Sequence, residues 1–429
     1  MFMEVRPGEN GTLPYLLQCI RCGAVQLPEP SILVCPACGD AGLLDVIYDY
    51  DHARRLVSRE SIAASGDLSH WRYAQFMPVS QKPARAGLRV GWTPLYRLRR
   101  LGEVLGLESL YLKDEGLNPT GSLKDRASSL AVVLAEETGF SAVSCASTGN
   151  AASSLAGNAA VAGLGAFIFV PARAPEGKVA QLLVYGAQVF VVEGTYQEAY
   201  LLSDAAIKAY GWYNRNAAIN PYLVEGKKTV SFEIAEQLAW EAPDWVVVSV
   251  GDGCTLAGIW KGFWDLFQTG LISGLPRLAG VQASGCAPLA RAYLSGTRWQ
   301  PEPEHTFADS IAVGTPRNPD KALRAVTQSG GVMTMVDDDA IDGAMTRLGR
   351  TSGVFAEPAA AAAVAGLERL VQEGTVLPSE TVVVVSTGNG LKDVAGARRA
   401  TGAARRVPPC FADFQAWFEN SSQDRGMKP

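Results

Sequence analysis

An α/β architecture with a mainly parallel sheet in two lobes follows from three features of this 429-residue chain. From about residue 93 to 400, short β-branched runs alternate with longer Ala- and Leu-rich amphipathic segments. That alternation buries parallel strands beneath helices. Seven such runs over about 300 residues are too many for one small sheet, so two α/β domains with a cleft between them are expected. Ahead of them, four cysteines fall within 20 residues in two C-x2-C pairs.

Residues 1–48 are expected to form a small metal-binding ribbon. The pair Cys19 and Cys22 and the pair Cys35 and Cys38 are each followed by one glycine (CGAV, CGDA) and separated by twelve residues that include Pro28 and Pro30. Two such knuckles present four thiolates tetrahedrally and suit Zn²⁺; a disulfide pair or chance spacing is the competing reading. Four thiolates leave no open coordination position, so the ion is read as structural. Only Arg21 is basic within residues 16–50, which disfavours a nucleic-acid role. Residues 49–92 read as a helix plus a connector wrapped on the next domain, with the aromatic clusters HWRYAQF and VGWTPLYRL in or beside it. The core spans 93–403, with a smaller lobe at about 130–225. Its strands are expected at SLYLKD, AVSCAST, GAFIFV, AQVFVVE, DWVVVSV, RLAGVQA and TVVVVST, and helices at GNAASSLAGNAAVAGL and KTVSFEIAEQLAW. Residues 404–429 read as a peripheral helix and a frayed end.

The formal charge is −5, from 38 Lys+Arg against 43 Asp+Glu, so no broad basic face for nucleic acid is expected. The opening MFMEVRPGEN lacks a basic stretch followed by an apolar run, and FIFVPA and VVVVST are strand-sized. Neither a secretory signal nor a membrane span is expected. A cytoplasmic chain keeps the scattered Cys145, Cys254, Cys286 and Cys410 reduced.

Four strand ends carry the chemistry, because ligands of open α/β sheets gather where strands finish. Residues 112–132 (LKDEGLNPTGSLKDRASSLAV) read as strand, polar turn and a helix opened by Ser122, with Lys124 at its mouth. Backbone N–H groups and the helix dipole favour an anion there. A lysine beside a bound phosphate, its pKa lowered by desolvation and a neighbouring cation, is placed to form a Schiff base with an aldehyde cofactor. A surface lysine at a helix start is the plain alternative. After AVSCA, Ser147-Thr148-Gly149-Asn150 offers two hydroxyls and an amide at a helix start, suited to a carboxylate and a ring hydroxyl, or simply to capping. After DWVVVSV, Gly251-Asp252-Gly253-Cys254-Thr255 lets several N–H groups converge on phosphate oxygens. Asp252 is tolerable there only if it points away and accepts hydrogen bonds itself. After TVVVVS, Thr387 opens a TGNGLKD loop with a neutral hydroxyl where a pyridine nitrogen could meet it; an ordinary cap is equally open. Lys113 reads as a solvated strand-end lysine and Lys178 as a surface charge. His52, His70 and His305 fall outside every motif.

In this order, PTGSLKDRA, STGNAA, the Gly-rich loop, EPAAAA and TGNGLKD resemble the pyridoxal-phosphate enzymes of fold type II, threonine synthase among them, over roughly residues 90–397. The four-cysteine ribbon is similar to one that many threonine-synthase-like chains carry. The resemblance implies a two-lobed, tryptophan synthase β-like α/β fold, pyridoxal 5′-phosphate as cofactor, a small amino-acid substrate and a homodimer. It implies that Lys124 holds the cofactor and shuttles protons, and that Asn150 bonds the ring oxygen. Ser147 and Thr148 then hold the substrate carboxylate, residues Gly251, Asp252, Gly253, Cys254 and Thr255 cradle the phosphate, and Thr387 meets the ring nitrogen. A hydroxyl there leaves the ring a weaker electron sink than a carboxylate would, which suits elimination and replacement.

The likeness fails at one place. Threonine synthases carry an Asn-Ser pair, and an Arg before the L-E-G that matches Val224-Glu225-Gly226; these grip the phosphate of O-phosphohomoserine. Here those positions are Ala217, Ala218 and Leu223, and Ala151 replaces the threonine after STGN. Losing a bidentate arginine is a large change for phosphate recognition. Arg215, Asn216, Lys227 and Lys228 are near enough in sequence to stand in. The expected activity is a lyase that releases phosphate from O-phosphohomoserine and adds water to give threonine. Alternatives are threonine or serine deamination, cysteate formation, or a catalytically idle binder; the presence of Lys124 disfavours the last.

Overall fold

The computed structural model describes residues 12–29, 32–80, 87–147, 149–172, 176–217, 219–404, 406–407 and 409–423. Among the described residues, helices are interleaved with three sheets. β1 (Tyr15–Cys19), β2 (Val25–Gln26) and β3 (Leu44–Tyr48) pair antiparallel in the order β2-β1-β3 and carry the cysteine knuckles. Alternate residues of β3 (Leu44, Val46 and Tyr48) are buried, the period of a strand with one face on a core. Residues 49–92, read as one helix and a connector, hold two short helices, Tyr50–Leu56 and Arg59–Ala63, and a 3-10 stretch, His70–Phe76. Asp49 and Ser58 cap the two helices through their side chains. Tyr73 and Phe76 meet Phe232 edge-on.

β4 (Leu95–Arg97) and β5 (Ser109–Asp114) begin the core. β6 (Ala142–Ala146), β7 (Gly165–Pro171), β8 (Gln188–Val192) and β9 (Tyr213–Asn214) form a parallel sheet in the order β8-β7-β6-β9. β10 (Trp245–Ser249), β11 (Arg277–Ala283), β12 (Val332–Val336) and β13 (Thr381–Ser386) return to the first pair. They give the order β12-β11-β10-β13-β5-β4, parallel except at β4. Helices cover both faces, so Val246, Val247, Val248, Val382, Val383, Val384 and Val385 are fully buried. Strands of this kind read as unbroken apolar runs. All seven expected core strands are present; β4, β9 and β12 are additional.

The helix Lys124–Glu137 packs against helices Asn150–Ala162 and Tyr222–Gln237. Beneath it, Arg126 pairs with Glu115 Oε2 and Glu233 Oε1, each at 2.6 Å. Lys113 belongs to the same network and is buried, not solvated: its Nζ lies 2.6 Å from Glu233 Oε2 and donates to Thr93 O and Gln237 Oε1. The cause is the packing of β5 on helix Tyr222–Gln237, which supplies the carboxylate. The tail carries the helix Phe411–Gln423. Among the described residues, no helix is long and apolar enough to cross a membrane.

Candidate active site

Lys124 opens its helix behind a turn that is zipped to the loop after β13. Leu123 N donates to Thr387 O and Asn389 N to Gly121 O, both at 2.9 Å. On the other side Asp125 accepts from Thr120 N at 2.8 Å and Thr120 Oγ1 at 2.9 Å. Ser122, expected to open the helix, lies one residue ahead of its N-cap position, Leu123; its Oγ still accepts Lys124 N at 3.3 Å. The lysine lines a cavity of about 870 Å³ at the ends of β6, β10 and β13. That volume is ample for a cofactor and a small substrate together.

Each wall follows from a strand end. Gly253 precedes the 15-residue helix Cys254–Gln268 with φ +89° and no side-chain cap, so the first-turn N–H groups are left for another acceptor. A Cβ there would lie 2.7 Å from Ala322 Cβ and from Asn318 O. Asp252 Oδ1 accepts Arg317 N at 3.2 Å. Asn150, first residue of its helix, donates from Nδ2 to Glu357 Oε1 and Oε2 at 2.9 and 3.1 Å. Its Oδ1 is buried without a partner. Gly388 is required for that approach, since a Cβ there would collide with Glu357 Oε1.

The charges bias one another. Burial holds the Lys124 amine below the ordinary lysine range; Glu357 opposes the shift and Arg215 adds to it. Burial pushes the Glu357 carboxyl up, against the pull of Asn150 and Lys124. Lys227 is pushed down to about 8 by burial, with Lys124 and Arg215 adding repulsion. A buried amine that loses its proton easily is what attack on a carbonyl carbon needs.

Lys124, Ser147, Asn150, Gly251, Asp252, Gly253, Cys254, Thr255 and Thr387 all line this cavity. Thr148 and Ala218 lie outside the described residues. Ala217 also lines it and packs with Ile20, Leu43 and Cys254, whereas Leu223 is buried in the core. Of the four cationic or polar stand-ins, Lys228 is turned elsewhere, pairing with Glu225 and Asp265. Arg215, Asn216 and Lys227 reach the cavity. Lys178, read as a surface charge, pairs with Asp309, and His70 is buried beside Ser129.

Two cavity residues escape the sequence reading. Ser249 ends the Val run of β10 with its Oγ buried and unpartnered. A lone hydroxyl at a strand end carries no pattern. Glu357 occupies the N-cap position before Pro358, which makes it look like a helix cap, yet its side chain caps nothing and meets Asn150 instead. An acid that leads an Ala-rich helix in the EPAAAA motif is the signal that could have found it.

Away from the cavity, the Sγ atoms of Cys19, Cys22, Cys35 and Cys38 lie within 4.8 Å of one another, and Cys22 Sγ is 3.8 Å from Cys35 Sγ. A tetrahedral Zn²⁺ with Zn–S near 2.3 Å sets thiolates about 3.8 Å apart. The donor set and its spacing fit that ion.

Comparison with known proteins agrees with this geometry. Residues 87–388 match the family described as pyridoxal-phosphate dependent enzyme. Threonine synthase of Methanocaldococcus jannaschii is 40% identical over 390 residues, covering 90% of this chain and 95% of that protein. Threonine synthase of Methanosarcina acetivorans is 41% identical over 382 residues, covering 88% and 92%. Among solved structures, diaminopropionate ammonia lyase of Escherichia coli has a similar fold, with TM-score 0.63 at 19% identity over 80% of this chain and 92% of that one.

Proposed function

Because the chain belongs to the threonine-synthase-like pyridoxal-phosphate dependent enzymes, we propose that it converts O-phosphohomoserine and water to threonine and phosphate. The observation that carries the reading is the meeting, in one cavity, of a buried amine on Lys124 and the uncapped helix start at Gly253. The unpartnered Oδ1 of Asn150 and the cradle that only Gly253 can turn support a bound, phosphate-bearing ring. When bound, pyridoxal phosphate supplies an aldehyde for the substrate amine and a ring that accepts the electron pair left when Cα loses its proton.

The chain's own groups do the rest. Lys124 Nζ, neutral at lower pH than a solvated lysine, takes and returns protons along the substrate carbon chain as phosphate leaves and water adds. N–H groups of 251–255 hold the cofactor phosphate. Ser147 with Thr148 receives the substrate carboxylate, Asn150 orients the ring oxygen, and Thr387 meets the ring nitrogen without charging it. Glu357, bonded to Asn150, fixes that amide and balances Lys124.

The same reading assigns Zn²⁺ to the four thiolates, a ribbon at 1–48, a connector at 49–92 and a catalytic core at 93–403. A cytoplasmic homodimer is part of it; metal analysis and light scattering test the ion and the oligomer. The decisive experiment incubates the cofactor-loaded protein with O-phosphohomoserine and follows phosphate and threonine. Lys124→Ala should release neither. Ammonia and keto acid from threonine or serine, with no phosphate released, would instead assign deamination. Cysteate from phosphoserine and sulfite would assign replacement.

A further inference from the structure

A phosphate monoester entering this cavity needs donors and counter-charge, and Ala217 and Leu223 supply neither. Resting on the reaction proposed above, we propose that Arg215, Asn216 and Lys227 form the subsite for the substrate's phosphate group. Arg215 and Asn216 follow directly on β9, and Lys227 sits in the second turn of helix Tyr222–Gln237. All three line the cavity although they are only 1%, 2% and 2% exposed.

Two of the three are oriented by hydrogen bonds to their neighbours. Arg215 Nε donates to Ser128 Oγ at 3.0 Å, which orients the guanidinium. Asn216 Oδ1 accepts Ala146 N at 2.8 Å, so the direction of the amide is fixed. Its Nδ2 is left buried with no acceptor, an arrangement that costs free energy until a ligand oxygen arrives. Lys227 shares in none of the carboxylates that hold Lys228. It feels Lys124 and Arg215 as repulsion, with Cys254 and Asp252 acting the other way. A dianion offsets this crowding of positive charge, and an arginine beside a lysine gives both fork geometry and point charge.

Two phosphates are candidates, the cofactor's and the substrate's, and both are monoester dianions. The helix start at 251–255 already offers N–H donors to the first. Asn216 is bonded to Ala146, the residue before Ser147, which sets this trio beside the carboxylate loop and favours the second.

The test uses 2-amino-5-phosphonopentanoate, which has no leaving group, against norvaline, which lacks the phosphonate. Each is titrated into the holoenzyme while cofactor absorbance is followed. Wild type should prefer the phosphonate. Lys227→Gln should lose roughly 10- to 100-fold in phosphonate affinity while keeping that for norvaline. Its affinity for pyridoxal phosphate, titrated into the apo protein, should be unchanged. Arg215→Lys, which keeps charge but not the fork, should lose part of the preference and guards against a folding defect in the first variant. Undiminished phosphonate affinity in Lys227→Gln, with wild type still releasing phosphate from O-phosphohomoserine, overturns the subsite and leaves the reaction standing. A parallel loss of cofactor affinity also overturns it, because the lysine then serves the cofactor's phosphate. A wild type that shows no phosphonate preference and releases no phosphate overturns the reaction itself.

Discussion

At Lys124 and Glu357 one cause, burial, moves an amine down and a carboxyl up. Uptake of pyridoxal phosphate by the apo protein needs the neutral amine, so its rate should rise with pH and level off below the ordinary lysine value of about 10.4. Stopped-flow absorbance across pH 6–10 measures this, and a rate still climbing at the top of that range would remove Lys124 as the acceptor. Lys227 shows the sign for stability. Its folded value of about 8 lies below the ordinary 10.5, so the unfolded chain binds more protons between the two. Apo stability should therefore rise across that window, by on the order of 3 kcal/mol, and Lys227→Gln should flatten the rise. Urea unfolding at pH 8 and pH 10 compares the two proteins. Glu357→Ala should weaken cofactor binding about tenfold with little change in melting temperature, because Asn150 loses the acceptor that aims it. Lys124, Asn150 and Thr387 were legible because each stands in an ordered motif at a strand end. Glu357 and Ser249 were not, because what makes them matter is a neighbour distant in the chain; Arg215, Asn216 and Lys227 were legible only as candidates, since the sequence does not separate them from Lys228.

Among elements, the helix that begins at Lys124 buries a guanidinium that neutralises two carboxylates. Arg126 bonds Glu115 and Glu233 from inside the core. Arg126→Met should cost about 3–5 kcal/mol in urea unfolding, since two carboxylates lose their buried counter-ion. A loss under 1 kcal/mol would mean Lys113 alone neutralises them. Gly253→Ala combines a left-handed φ with a clash on Ala322 and Asn318, so it should weaken cofactor binding more than Ala substitutions elsewhere in the loop. The seven long core strands were readable because their β-branched runs lie buried on both faces. β9 has two residues, β4 sits exposed at an edge with polar side chains, and β12 breaks its run with Met and Thr. None of these carries enough pattern to stand out. Helix Tyr222–Gln237 starts earlier than KTVSFEIAEQLAW suggests, because Pro221 sets its first turn and YLVEG continues it.

Across the whole molecule, Lys392 ties the loop after β13 to the smaller sheet's helices, donating to Ser153 Oγ at 2.8 Å, to Gln181 Oε1 at 2.7 Å and to Thr120 O at 3.1 Å. The cysteine ribbon is joined to the site as well. Ile20 and Leu43 pack on Cys254 and Ala217, which gives a local reason for alanine at 217. Chelation or Cys19→Ser should thus lower both unfolding stability and cofactor affinity, with kcat preserved once cofactor is saturating. Equal cofactor affinity before and after chelation would sever the ribbon from the site. Motif spacing revealed the ribbon but not its seat, because that seat is assembled from distant sequence. Lys321 donates to Leu44 O and pairs with Asp45, and Arg324 pairs with Asp45 too. The ribbon's seat on the core is therefore complete only when residues nearly three hundred positions further along the chain are in place.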